Sequence, residues 1–245
     1  MAEAIRDWSD VIDYLAPYIV RISTPVGSGS GFLLSSQSKT EICAIATAAH
    51  VIDHAHYWEE PIRVDHVHSG KSVLVRQHQR ALFVDPGRDT AALVIERGEL
   101  PFPDAPLELV PEGRYLRVGA EAGWLGFPAI APSMCFFSGR VSAWQHSEKS
   151  YLVDGVAING VSGGPAFALV EDGSLLMVGV VSAYVPNRQA AGVFPGLAII
   201  RDVSHFHEVL PEYATIDEAR AKQTVPRSAP LPPVETDIPQ NPTRG

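Results

Sequence analysis

The chain has 245 residues and a mass of 26.4 kDa, enough for one large domain or two small ones with cores of their own, so neither staples nor a partner is needed for folding. A hydrophobic share of 46% and a charged share of 19% are ordinary globular values and exclude wholesale disorder and a fibrous repeat. The formal charge of −9, with no local Lys/Arg cluster to offset it, repels phosphate backbones and anionic lipid, so neither nucleic acid nor a membrane is an expected partner.

No window approaches the ~20 consecutive apolar residues of a membrane helix. The opening stretch MAEAIRDWSDVIDYLAPYIVRI lacks a basic start, an apolar run and a cleavage site, so it does not read as a signal peptide, and a cytoplasmic location is expected. Cys43 and Cys135, in ICAIA and SMCFF, are too few for a disulfide framework and read as buried free thiols.

Ile5, Trp8, Val11, Ile12 and Leu15 recur mostly at intervals of three and four, which predicts an amphipathic helix within residues 1–16 that docks on the domain behind it. From Ile19 to Ile200 the chain breaks into short β-rich runs, among them YIVRIS, GFLLSS, ICAIATAA, AALVI, GRVSAW, PAFALV and LLMVGVVSA. Turn residues separate them, and no long helical segment intervenes, so the expectation is all-β, as barrels or sandwiches. Glu99–Pro106, ELPFPDAP, is the candidate linker, dividing a first β unit, 17–105, from a second, 106–211. Val203–Leu210 predicts a short C-terminal helix that Pro211 ends, and residues 212–245 turn polar and Pro-rich, as in a disordered tail.

The sharpest local feature is Gly160-Val161-Ser162-Gly163-Gly164-Pro165 between two strand-like segments. Glycines allow backbone conformations in which successive N–H groups converge beside a serine hydroxyl, as an oxyanion hole requires. Most Gly/Ser turns do nothing of the kind, and Ser28 and Ser30 in GSGSG read as plain turn residues. Ser162 differs in its company, with Thr47-Ala48-Ala49-His50 ending one apolar strand and Asp89 opening another, DTAALVI. A serine hydroxyl needs a base titrating near ~6.5, and that imidazole needs a carboxylate to hold its tautomer and stabilise its cation. Asp85 is the alternative acid, less favoured because it does not abut the apolar strand.

GSGSGFLL, TAAH, DTAALVI, WLGFP, SGRVSA, DGVAINGVSGGPAF, GVVSA and PGLAII follow one another in the order found in trypsin-like (chymotrypsin-fold) serine peptidases, and the chain resembles that family from about Leu15 to Leu210, in the bacterial HtrA-like style without a PDZ domain. The resemblance implies two antiparallel six-stranded β-barrels with the N-terminal amphipathic helix and the short C-terminal helix outside them. It implies His50 as general base, Asp89 as its orienting acid and Ser162 as nucleophile, with the Gly160 and Ser162 amides as the oxyanion hole and no metal or organic cofactor. The residues after Pro211 are fewer than the ~50 that a small further domain needs.

Two departures stand out. Many secreted members carry an aspartate before the nucleophile that pairs with a freed N-terminus; here Val161 excludes that switch, and the oxyanion loop is either preformed or set by a partner. Val51 replaces the half-cystine that follows the histidine in many animal members. For specificity, the resemblance places Val156 at the pocket base, Ser182, Ala183 and Tyr184 along a wall that pairs with substrate as an added strand, and Gly196 opposite. A carboxylate at the base is missing, so Lys or Arg before the scissile bond is disfavoured, and the Tyr184 ring would narrow the pocket to Ala or Val.

The remaining candidates carry plainer readings. His54, His56, His66 and His68, near Asp53 and Asp65, have a zinc-like composition, yet i,i+2 histidines among charges read as exposed, and no metal site is expected. Trp124, Phe127, Phe136, Phe137 and Trp144 read as the core of the second unit. The expected function is cleavage of a specific intracellular protein or peptide substrate in a bacterial regulatory or defence setting, with a regulatory protein partner acting on the N-terminal helix or the tail. The rival is a catalytically silent peptide-binding module of the same fold; a third reading is an esterase using the same three residues.

Overall fold

The computed structural model describes residues 7–36, 41–103, 105–170, 173–189 and 192–224. The mostly apolar runs form thirteen strands: β1 (Ile19–Thr24), β2 (Gly27–Ser36), β3 (Ile42–Thr47), β4 (Ile62–His66), β5 (Lys71–Val75), β6 (Arg80–Asp85), β7 (Thr90–Glu96), β8 (Glu121–Gly126), β9 (Cys135–Gln145), β10 (Ser150–Asp154), β11 (Pro165–Leu169), β12 (Leu175–Gln189) and β13 (Gly192–Asp202). Among the described residues three α-helices accompany them: α1 (Trp8–Leu15), α2 (Ala49–Tyr57) and α3 (Ser204–Thr224).

All strand pairings are antiparallel, and they separate into two sheets. The second closes into the six-stranded barrel expected, in the order β10-β13-β12-β11-β8-β9. The first is a seven-stranded half-barrel, β5-β4-β1-β2-β3-β7-β6, left open between β5 and β6. The short turn Gln77–Gln79 that joins those strands does not bring them into register with each other. β3 and the first six residues of β7 are buried throughout, which is why their sequences show no polar alternation.

Asp7 caps α1, its carboxylate accepting from the amides of Ser9 and Asp10 at 2.8 and 3.2 Å. Val11 and Leu15 are buried, while Trp8 lies 5.3 Å from the Phe136 ring and 6.0 Å from Phe167. The helix therefore docks on the second barrel as well as on the first sheet that follows it in sequence. Residues 1–6, including Ile5, lie outside the described residues.

Three sequence expectations need correction. Pro211 does not end the C-terminal helix, since α3 continues to Thr224 with the proline inside it. A proline there forfeits one backbone hydrogen bond and crowds the preceding turn, but the turns beyond it bury Tyr213 completely, its hydroxyl donating to the Ile42 carbonyl at 2.8 Å. Packing outweighs the local cost. The tail expected from 212 is thus helical to 224, and 225–245 lie outside the described residues. Cys43 is buried, but Cys135 is only half-buried, because it opens β9 at the barrel rim. His66 is fully buried instead of exposed: its ring ties Ser69 Oγ to the Pro17 carbonyl, each at 2.7 Å.

Candidate active site

β3 and β7 pair with Thr47 opposite Ala91, so the residues just past the end of one strand and just before the start of the other meet. α2 begins immediately after β3 and carries His50 in its first turn. Asp89 closes the tight turn before β7 with φ of 50°, a left-handed conformation that Asp tolerates better than most residues. In this way two residues 39 positions apart become neighbours: His50 Nδ1 lies 3.0 and 2.9 Å from the Asp89 carboxylate oxygens, and the His50 amide donates to Oδ1 at 3.0 Å.

Burial pushes the Asp89 carboxyl up, but hydrogen bonds from His50 and from the Ser182 hydroxyl, 2.5 Å from Oδ2, pull it below the usual carboxylate range. The hydrogen bond to Asp89 raises the His50 imidazole above its ordinary value against the opposing effect of burial, with help from the charges of Asp89 and Asp53. With Nδ1 donating to the carboxylate, Nε2 is left as the acceptor in the neutral ring. Asp85 is engaged elsewhere, by Arg88 at 3.4 Å, and does not share in this arrangement.

Ser162 comes from the loop between β10 and β11. Gly160 and Gly163 flank it with φ of 92° and 86°, and a Cβ on Gly163 would collide with the Ser30 carbonyl and the Thr47 hydroxyl. Gly163 thus lets the loop press against the first sheet, and Gly160 lets it press against the Phe127 carbonyl and the Ala129 amide. The Ser162 hydroxyl donates to the Ser182 carbonyl at 3.2 Å and makes no hydrogen bond to His50 among the described residues. Ser182 thus touches both ends of the constellation, its hydroxyl on Asp89 and its carbonyl on Ser162.

Among the described residues, neither the Gly160 nor the Ser162 amide donates to a protein acceptor. The Asn159 carbonyl, which precedes the Gly160 amide, accepts instead from the Ala129 amide at 2.8 Å. Val161 is fully buried, so apolar packing holds the residue before Ser162.

The sequence reading missed Ser30. It is fully buried, its hydroxyl donates to the Gly160 carbonyl at 2.7 Å and accepts from the Phe127 amide at 2.8 Å, and its own amide donates to the Ser162 carbonyl at 2.7 Å. Nothing in GSGSG distinguishes it from a turn serine, since its partners are about a hundred positions away. The role of the Ser182 hydroxyl was missed for the same reason.

On the opposite flank, Val156 is 40% and Tyr184 41% exposed. Ala183 pairs with Ile199 and Tyr184 with Ala198, while Gly196 is half-buried on β13. The Val156 carbonyl is held by Trp124 Nε1 at 3.2 Å. His54 and His56 sit on α2, with His54 Nδ1 3.0 Å from Glu60; no group of three or more potential metal ligands occurs among the described residues.

The trypsin-like peptidase domain family matches residues 29–180. No curated protein matches the sequence. Among solved structures, Deg5 is 21% identical with a TM-score of 0.60, covering 82% of this chain and 90% of its own. A serine endoprotease from Yersinia pestis is 18% identical with a TM-score of 0.62, over 84% and 66% of the two chains. The Rv3671c protease of M. tuberculosis, in an inactive form, is 20% identical with a TM-score of 0.58, over 82% and 91%. These likenesses bear on the fold alone. With the two-unit β fold and a family match across more than half of its length, the chain belongs to the trypsin-like peptidase family.

Proposed function

We propose that the protein is a serine endopeptidase in which Ser162 is the nucleophile, His50 the general base and then acid, Asp89 the orienting carboxylate, and the Gly160 and Ser162 amides the oxyanion hole. The observation that carries this reading is the His50–Asp89 pair, Nδ1 to carboxylate at 2.9 Å, standing beside a serine whose loop keeps two amides unspent. A peptide laid along Ser182-Ala183-Tyr184 as an added strand would offer an N–H to the Ser182 carbonyl. That bond competes with the one from Ser162, so substrate entry frees the hydroxyl to turn to His50 Nε2. Attack then forms a tetrahedral intermediate whose oxyanion the two amides receive. His50 passes the proton to the leaving amine, and water hydrolyses the acyl-enzyme by the same route.

Val156 at the pocket base and the Tyr184 ring on its wall, with Gly196 opposite, favour a small apolar residue before the scissile bond. The bond between Asn159 and Ala129 and the burial of Val161 support an oxyanion loop that stands ready without a partner. The setting we propose is cytoplasmic and bacterial, with a specific intracellular protein as substrate and a regulatory protein acting through α1 or the Pro-rich tail. Among the described residues, no helix is long and apolar enough to cross a membrane.

The second reading, a silent peptide-binding module, is favoured by one observation: the Ser162 hydroxyl rests on Ser182 and not on His50. A fluorophosphonate probe separates the two. Prompt formation of one adduct on the wild-type chain alone, lost in Ser162→Ala and His50→Ala, is the expected result. Absence of the adduct from the wild type rejects catalysis by the isolated chain.

A further inference from the structure

Next to the Ser162 loop, where residues 127–129 pack against Gly160, lies an open groove of about 520 Å³ lined by Arg21, Ser23, Ser28 and residues 127–132. Arg21 lies directly across from Ser30, and Ser23 from Ser28, in the pairing of β1 with β2. Side chains opposite one another in an antiparallel pair share a face, so this face runs from the buried Ser30, bonded to the catalytic loop, out to the exposed Ser28. Two residues of strand span about 6.6 Å, close to the reach of two substrate residues. With the acyl half of a substrate on β12, as proposed above, the leaving half extends from Ser162 toward this groove.

The lining is rich in donors that nothing else uses. The Arg21 guanidinium stacks 4.7 Å from the centre of the Phe127 ring and gives one N–H to the Pro132 carbonyl at 2.9 Å. Its remaining N–H groups have no carboxylate partner among the described residues. Asp65, its neighbour on β4, is already held by Arg63 and by Ser72, at 2.8 and 2.5 Å. The Ser23 and Ser28 hydroxyls likewise make no hydrogen bond among the described residues. The groove has no acidic lining residue, in a chain that carries a net charge of −9.

We infer that this groove is a leaving-side subsite for a carboxylate, so that the enzyme selects substrates with Asp or Glu about two residues after the scissile bond. The inference rests on the endopeptidase reading above. The guanidinium presents parallel N–H donors that match a carboxylate, the Phe127 ring and Pro132 hold it in place, and the two serine hydroxyls supply further donors. Lys or Arg at the same substrate position would face an uncompensated like charge.

The test is digestion of a proteome-derived peptide library by the full-length chain, followed by matched synthetic peptides with Glu, Gln or Lys at the second residue after the cut. The expected result is enrichment of Asp and Glu at that position and a roughly three- to tenfold advantage in kcat/KM for Glu over Gln. That advantage should shrink at high ionic strength. Arg21→Gln should abolish it, and Arg21→Glu should transfer the preference to Lys. The ionic-strength series on the wild type reads the same interaction independently if either variant fails to fold. Cleavage and fluorophosphonate labelling with no acidic enrichment overturn the subsite and leave the endopeptidase reading intact; absence of both cleavage and labelling overturns both.

Discussion

The Ser30 hydroxyl, on β2 of the first sheet, donates to the carbonyl of Gly160, 130 positions later in the second barrel, at 2.7 Å. Because it also accepts from the Phe127 amide, it fixes the peptide plane between Gly160 and Val161, beside the amides proposed as the oxyanion hole. Ser30→Ala leaves a buried carbonyl and a buried N–H without partners, which costs about 1–3 kcal/mol of stability. More specifically, kcat should fall roughly ten- to hundredfold with KM little changed, because oxyanion donors act on the transition state. Steady-state kinetics at a temperature well below the variant's Tm checks this; equal losses in kcat and in folded fraction would reduce Ser30 to a structural role.

The pH profile follows from the His50–Asp89 pair. A general base works when neutral, above its pKa, and the hydrogen bond to Asp89 raises that pKa above the ordinary value of about 6.5. Thus kcat/KM should rise with pH through a midpoint above 6.5 and be depressed at pH 6. Asp89→Asn removes the cause of the shift, so the midpoint should move down while the plateau drops about 10⁴-fold. An acid limb that stays in place in the variant would assign it to another group.

Tyr184 is 41% exposed on the strand proposed to receive substrate. Replacing it with glycine should widen the pocket and shift the preferred residue before the scissile bond from Ala or Val toward Leu and Phe. A change of roughly tenfold or more in the ratio of kcat/KM values is expected, since each methylene accommodated in an apolar pocket carries about 1–3 kcal/mol. Matched peptides varied at that one position provide the measurement.

Tyr213, fully buried beyond the internal proline of α3, anchors the helix to the edge of β3. Tyr213→Ala should destabilise the fold by about 3–5 kcal/mol, and Tyr213→Phe, which loses the hydroxyl's hydrogen bond to Ile42 and keeps the ring, by about 1 kcal/mol. Denaturant titrations would measure both. A chain ended at Pro211 should behave like the alanine variant or worse.

The lesson of these residues concerns range. His50, Asp89 and Ser162 stand out as candidates because each sits in a local pattern, a strand end beside a chemically apt residue or a serine among glycines, and because the patterns follow one another in a familiar order. α2 was not legible as a helix because AHVIDHAHY is short and its pattern weak. Pro211 misled because a local rule was applied where long-range packing of Tyr213 decides.

By itself, then, the sequence determined the β-rich architecture, the amphipathic first helix and the residue types of the site in their order along the chain, all of which depend on periodicity, turn residues and side-chain chemistry over a few positions. Only the tertiary structure decided that the first sheet stays open between β5 and β6, that Ser182 bridges Asp89 and Ser162, that Ser30 holds the Gly160 carbonyl and that Arg21 lines a groove near Ser162. Each of these joins groups far apart in the chain, and a hydroxyl or guanidinium carries no local mark of which distant partner it will meet once two sheets are packed together.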